Sequence, residues 1–147
     1  MSDETKTFYT TKEINQLRTT AQHFKLDAPQ EFWEKTATTL KKYCNGAGPE
    51  RWDELKRKAL TSALKSYEAA FAIHDVDYRY HVVTQKQADK RLKKNMVKIW
   101  RKNFGIWRWL SKAGRIERLV VIPAVYAAVV LGGNQAWEES EHNEQDN

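Results

Sequence analysis

The sequence predicts an all-α domain, and three observations carry that prediction. Apolar residues recur at steps of three and four through most of the chain, capping boxes open two of the stretches, and no β-type alternation of any length interrupts them. The 147 residues suffice for one hydrophobic core and are short for two. Residues 1–137 are therefore read as a single domain and residues 138–147 as an acidic flexible tail.

The first helix is predicted over residues 11 to 25. Thr10 and Glu13 have the capping-box spacing, Tyr9 and Ile14 are placed as a hydrophobic staple, and Ile14, Leu17, Ala21 and Phe24 form its apolar stripe. A second start lies at "DAPQEFW", where Asp27 can cap and Pro29 sits in the first turn. Its stripe is Phe32, Trp33, Thr36, Ala37, Leu40 and Tyr43, and "CNGAGP" stops it. A long third helix begins near Pro49 and carries Trp52, Leu55, Ala59, Ala63, Tyr67, Ala70, His74 and Tyr78 on one face. The fourth opens at Thr84 with Gln87 three residues on, and Ala88, Asp89, Leu92, Met96 and Ile99 turn inward. Gly105 and Gly114 break the pattern after Asn103 into a loop or short helices. A last apolar helix is expected from Pro123 to Leu131, ended by Gly132 and Gly133. Its apolar run of about 13 residues falls short of a membrane span, so a buried helix is expected and no transmembrane segment.

The net charge of +6 understates the basic character of the domain, because Glu138, Glu139, Glu141, Glu144 and Asp146 gather in the tail. A basic domain favours a polyanionic partner, either nucleic acid or an anionic lipid surface. The single cysteine, Cys44, excludes an internal disulfide and is read as a small buried or half-buried hydrophobe. The polar start "MSDETKTFYTTKE" lacks a secretory pattern, which implies a cytoplasmic protein at synthesis.

Chemistry concentrates on the third and fourth helices. His74, Tyr78 and Asp89 point inward from two helices joined by the short link 81 to 84, which favours an antiparallel pair carrying a His/Asp site. A carboxylate bonded to one ring nitrogen of a histidine fixes its tautomer and leaves the other nitrogen as a base for water. Asp75 lies about 100° round the helix. It can bind a hard cation if carbonyls of the glycine loop supply further ligands. Asp77 is read as exposed, and His23, His81 and His142 as ordinary surface or loop residues.

The order "NGAGP", "HDVDY", "QADKRL" resembles the phospholipase A2 superfamily, with its glycine-rich calcium loop, His-Asp-x-x-Tyr helix and a second helix that brings an Asp to the histidine. The style is that of its disulfide-free members, the parvoviral capsid lipase domain and small phage-encoded proteins, in which an Ala-Asp dipeptide opens the second helix as Ala88-Asp89 does. The resemblance covers residues 43–97, and "IPAVYAAVVLGGNQAW" echoes the terminal helix of such phage proteins. It implies that His74 activates water, that Asp89 orients His74 with support from Tyr78, and that Asp75 binds Ca²⁺ with carbonyls around Gly46 and Gly48. The implied reaction is hydrolysis of the sn-2 ester of a glycerophospholipid, by a protein that is virion-associated or released by a non-classical route.

In "KRLKKNMVKIWRKNFGIWRWLSKAGR", Trp100, Trp107 and Trp109 alternate with cations such as Lys102 and Arg108. One reading is a lipid interface, with indoles at the boundary and cations on headgroups. Another sends the tryptophans to the core under a solvated charged face. A basic aromatic surface also suits single-stranded nucleic acid, although no recognised nucleic-acid motif is present. The functional alternatives to the hydrolase are a non-enzymatic phage structural or accessory protein on the same scaffold, bound to virion or other proteins, and a basic nucleic-acid-binding helical protein.

Overall fold

Thr10 opens α1 (Thr11–His23) by the predicted reciprocal cap, its hydroxyl accepting from the Glu13 N–H at 3.2 Å while the Glu13 carboxylate accepts from the Thr10 N–H at 2.7 Å. The computed structural model describes residues 8–44 and 64–145, the side chains of 134–136 and 139–145 excepted. Ile14, Leu17 and Ala21 bury the inner face of α1. Lys25, at φ 53°, turns the chain out of the helix, and the Leu26 N–H closes back on the Ala21 carbonyl at 2.9 Å.

The second predicted helix is two short ones, α2 (Gln30–Glu34) and α3 (Ala37–Leu40). Thr36 divides them, because its hydroxyl takes the Thr39 N–H as a new N-cap while Lys35 is extended. Carbonyls freed by the break are met from α1: the Arg18 guanidinium donates to Phe32 O at 2.9 Å and also to Lys35 O. Asp27 caps neither piece. Its peptide exchanges two hydrogen bonds with the Asn95 side-chain amide, and its carboxylate accepts from Arg91.

Of the predicted long third helix, the described part begins at Leu64. Leu64 departs from helical geometry at φ −110°, ψ 25°, and a 3₁₀ turn, Lys65–Tyr67, precedes α4 (Glu68–Tyr80). This turn carries Tyr67 into the core, where its hydroxyl donates to the Glu117 carboxylate. The glycine loop with Gly46 and Gly48, and the predicted helical positions from Pro49 to Ala63, lie outside the described residues. His81 ends α4 in the left-handed region at φ 50°. After the link 81 to 84, Thr84 and Gln87 form the second predicted capping box at the head of α5 (Gln85–Phe104).

Gly105, at φ 53°, ends α5 and begins a second 3₁₀ turn, Gly105–Trp107. Then α6 (Lys112–Ile116) passes through a π-helical turn, Glu117–Val121, into α7 (Ile122–Gln145). Gly132 and Gly133 do not stop this helix. Its inner face, with Ile122, Val125 and Val129, packs toward the core, and α7 lies against α5 and α4.

The described residues are all helical in their regular structure, with no strand among them. Their core gathers Tyr9, Ile14, Phe32, Leu40, Tyr67, Ile73, Leu92, Met96, Ile99 and Trp100 around α4 and α5. Trp100 is 1% exposed, and its indole N–H donates to Gly114 O at 2.7 Å, so it belongs to the core and not to a lipid interface. The last apolar helix, by contrast, is not the buried one expected. The helical stretch Lys112–Gly133 runs 22 residues, has a mean hydropathy of 1.7 over its most apolar window, and has only 11% of that window buried. By length and composition it is sufficient to cross a membrane, because the helix runs on through Glu117, Arg118 and the glycine pair where the apolar run in the sequence stops.

Candidate functional site

The short link and the two inward faces bring His74 and Tyr78 of α4 against Asp89 of α5. His74 Nε2 lies 2.8 Å from Asp89 Oδ1, and the Tyr78 hydroxyl donates to the same oxygen at 2.7 Å. The His74 and Tyr78 rings meet at 4.2 Å between centroids. Asp89 is 3% exposed, whereas the His74 side chain retains 11%. Nδ1 of His74 has no hydrogen-bond partner among the described residues, so the nitrogen opposite the carboxylate is the one left for water or substrate.

The electrostatics keep Tyr78 a donor. Burial raises its hydroxyl pKa well above the ordinary tyrosine value, and the bond to the Asp89 carboxylate raises it further. Gln85 also bonds to this hydroxyl. On the outer side, α7 covers the cluster: the Trp137 ring stands edge-on to Tyr78 at 5.0 Å and stacks on His81 at 4.0 Å.

Asp77, expected on the surface, is fully buried. Its position three residues after His74 puts it on the His74 face, a signal the sequence contained. Arg91 reaches it at 2.6 Å and bridges on to Asp27 at 3.0 Å, while Asp77 Oδ2 has no partner among the described residues. Burial pushes the Asp77 carboxyl up to about 6, outweighing the opposing pull of Arg91. Arg91, Trp137 and Gly133, whose backbone lies directly against the Tyr78 hydroxyl, adjoin the cluster although sequence spacing did not single them out. Arg91 was hidden in a basic run, and the other two are far along the chain.

Asp75 is half-buried one position round α4. After burial, its charge is the next largest influence raising the thiol of Cys44, and it also raises the Tyr9 hydroxyl. Cys44 itself lies against α4, with Sγ 3.8 Å from Ala72 O, so the strand of chain that leads into "NGAGP" is held on the Asp75 side of the helix. The glycine loop whose carbonyls were expected to join Asp75 lies outside the described residues. No group of three or more His, Cys, Asp or Glu suited to a metal occurs among the described residues.

Of the proposed interfacial residues, Trp107 and Trp109 are exposed, as is Lys102, while Arg108 is half-buried and donates to Gly105 O. Lys102 reaches back to His23 O at 2.7 Å. Comparison with protein-family models, curated proteins and solved structures finds no match to this chain.

Proposed function

We propose that the chain is a calcium-dependent phospholipase A2-like hydrolase of glycerophospholipids, working from an antiparallel α4/α5 pair. The observation that carries this reading is the shared oxygen Asp89 Oδ1, which holds both His74 Nε2 and the Tyr78 hydroxyl. Asp89 fixes the imidazole with Nδ1 outward and stabilises the imidazolium that forms when Nδ1 removes a proton from water. Tyr78 holds the carboxylate in that orientation. The attacking water adds to the sn-2 carbonyl, the ester bond to the glycerol oxygen breaks, and the proton on His74 passes to that leaving oxygen.

Asp75 and carbonyls at Gly46 and Gly48 are the residues that would hold Ca²⁺. When bound, the ion supplies Lewis-acid polarisation of the ester carbonyl, a contribution normally of several kcal/mol. The residues of this chain supply the base, its orientation, and the partial exclusion of water by Trp137.

The test is release of fatty acid from mixed anionic and zwitterionic vesicles, with calcium or with chelator, for the native chain and for His74→Gln. Release that needs both calcium and His74 is the expected result. Absence of release by the folded native chain under all these conditions would sink the hydrolase reading. The cluster would then be a packing device of a non-enzymatic protein, a role favoured by the two hydrogen bonds that meet on Asp89 Oδ1 and by its cover by α7.

A further inference from the structure

The outward side of the Lys112–Gly133 helix has no partner within the described fold. Ile116, Leu119, Val120, Ala124, Ala127, Val130 and Leu131 recur on it at steps of three and four and are all exposed, Leu119 to 61% and Leu131 to 83%. The opposite stripe, Ile122, Val125, Val129 and Gly133, is committed to the body. At the first turn of the helix, where Arg115 donates to Trp109 O and Leu110 O, the turn after α5 adds the exposed apolar side chains of Ile106, Trp107 and Leu110. A core helix of similar hydropathy would be mostly buried, and this one is the reverse.

Charge identifies the occupant. Lys112, Arg115 and Arg118 lie in the first turns of this helical stretch, and Lys102 and Arg108 flank the exposed turn. Lys102, Lys112 and Arg115 are exposed, while Arg108 and Arg118 are half-buried, and contacts to Trp109 O, Leu110 O, Gly105 O and the Trp100 ring hold the three arginines beside the turn. The nearest acid, Glu117, is taken by the Tyr67 hydroxyl. An apolar stripe bordered by cations and indoles matches an anionic lipid surface, where acyl chains, headgroups and the boundary between them each meet their complement. A second protein copy would carry the same cations to the interface.

We propose that the outward face of the Lys112–Gly133 helix, together with the exposed turn 106 to 110, docks on an anionic lipid bilayer with the helix lying in the plane of the interface. A transverse orientation would strip Ile122, Val125 and Val129 from the core, whereas the in-plane one leaves the fold as it is. Docking requires neither His74 nor calcium, so it stands or falls separately from turnover.

The experiment is co-sedimentation of the full chain, without calcium, with vesicles of phosphatidylcholine alone or with about one third phosphatidylglycerol. The native chain and His74→Gln should both pellet with the anionic vesicles, and binding should weaken at high salt. The double variant Leu119→Glu/Leu131→Glu, at exposed positions that leave the core intact, should lose about tenfold or more in affinity with an unchanged melting temperature. Bound protein should be released by alkaline carbonate. Retention through carbonate would overturn the in-plane orientation in favour of a span. Equal binding by the double variant, or failure of the native chain to bind while it self-associates through this face, would overturn the proposal. Binding without fatty-acid release would leave docking standing and sink only the hydrolase.

Discussion

Gly133 of α7 touches Tyr78 of α4 so closely that a Cβ on the glycine would lie 2.4 Å from the tyrosine hydroxyl oxygen. The glycine is therefore required by proximity and not by a turn. Its neighbour cannot yield freely, because swinging the hydroxyl aside breaks its bond to Asp89.

Gly133→Ala should accordingly cost about 1–3 kcal/mol by overpacking. Tyr78→Phe should cost a similar amount, about 1.5–3 kcal/mol, by removing a donor to a charged acceptor. Because Tyr78→Phe also removes the atom that the new methyl strikes, the double variant should lose less than the sum. Urea unfolding of the four proteins measures that coupling, and strict additivity would refute the contact.

Asp77 makes stability depend on pH. Its carboxyl is raised to about 6 in the fold, so between the ordinary aspartate range and pH 6 the native state holds the proton more firmly than the unfolded chain. Stability from this group is present below that window, declines as pH rises through it, and is flat above. Asp77→Asn removes the titration. Relative to that variant the native chain should lose up to about 3 kcal/mol between pH 4 and pH 7, read from urea midpoints at each pH. A constant difference across that range would contradict the assignment.

Two tryptophans that look alike in sequence should behave differently. Trp100→Phe removes the indole donor to Gly114 O and leaves a void in the core, at a cost of about 2–4 kcal/mol. Trp107→Phe, 63% exposed, should stay within about 0.5 kcal/mol of the native chain. Thermal denaturation of both variants gives the comparison.

Cys44 should resist thiol reagents. It is 2% exposed, and burial holds its thiol well above the ordinary value, so little thiolate forms at neutral pH. Labelling by a maleimide should be slow in buffer and fast in denaturing urea, and rapid native labelling would show that the chain leading to the glycine loop opens readily.

The features legible in the sequence were those set by local chemistry. The caps at Thr10 and Thr84 need only a hydroxyl and a partner three residues on, and the inward turn of Asp89 follows from helical periodicity. What eluded it was decided by contacts far along the chain. Nothing near Thr36 shows that Arg18 will satisfy the carbonyls of a divided helix, and nothing near Gly133 shows that Tyr78 will need its missing side chain. Asp77 shared the His74 face from the start, but a carboxylate reads as exposed unless Arg91 is known to reach it. The apolar run 119 to 131 suggested burial because hydropathy alone cannot tell a helix face turned to the core from one left exposed.

The two ways α5 is fastened to the rest of the chain imply an order of assembly. Its link to α4 is only 81 to 84, whereas the paired bonds between Asp27 and Asn95 join positions 68 residues apart. Closing a long loop costs more chain entropy than closing a hairpin of helices. The α4/α5 pair should therefore form first and hold its amide protons longest against exchange, with α1 and the segment around Asp27 docking onto it late and fraying first.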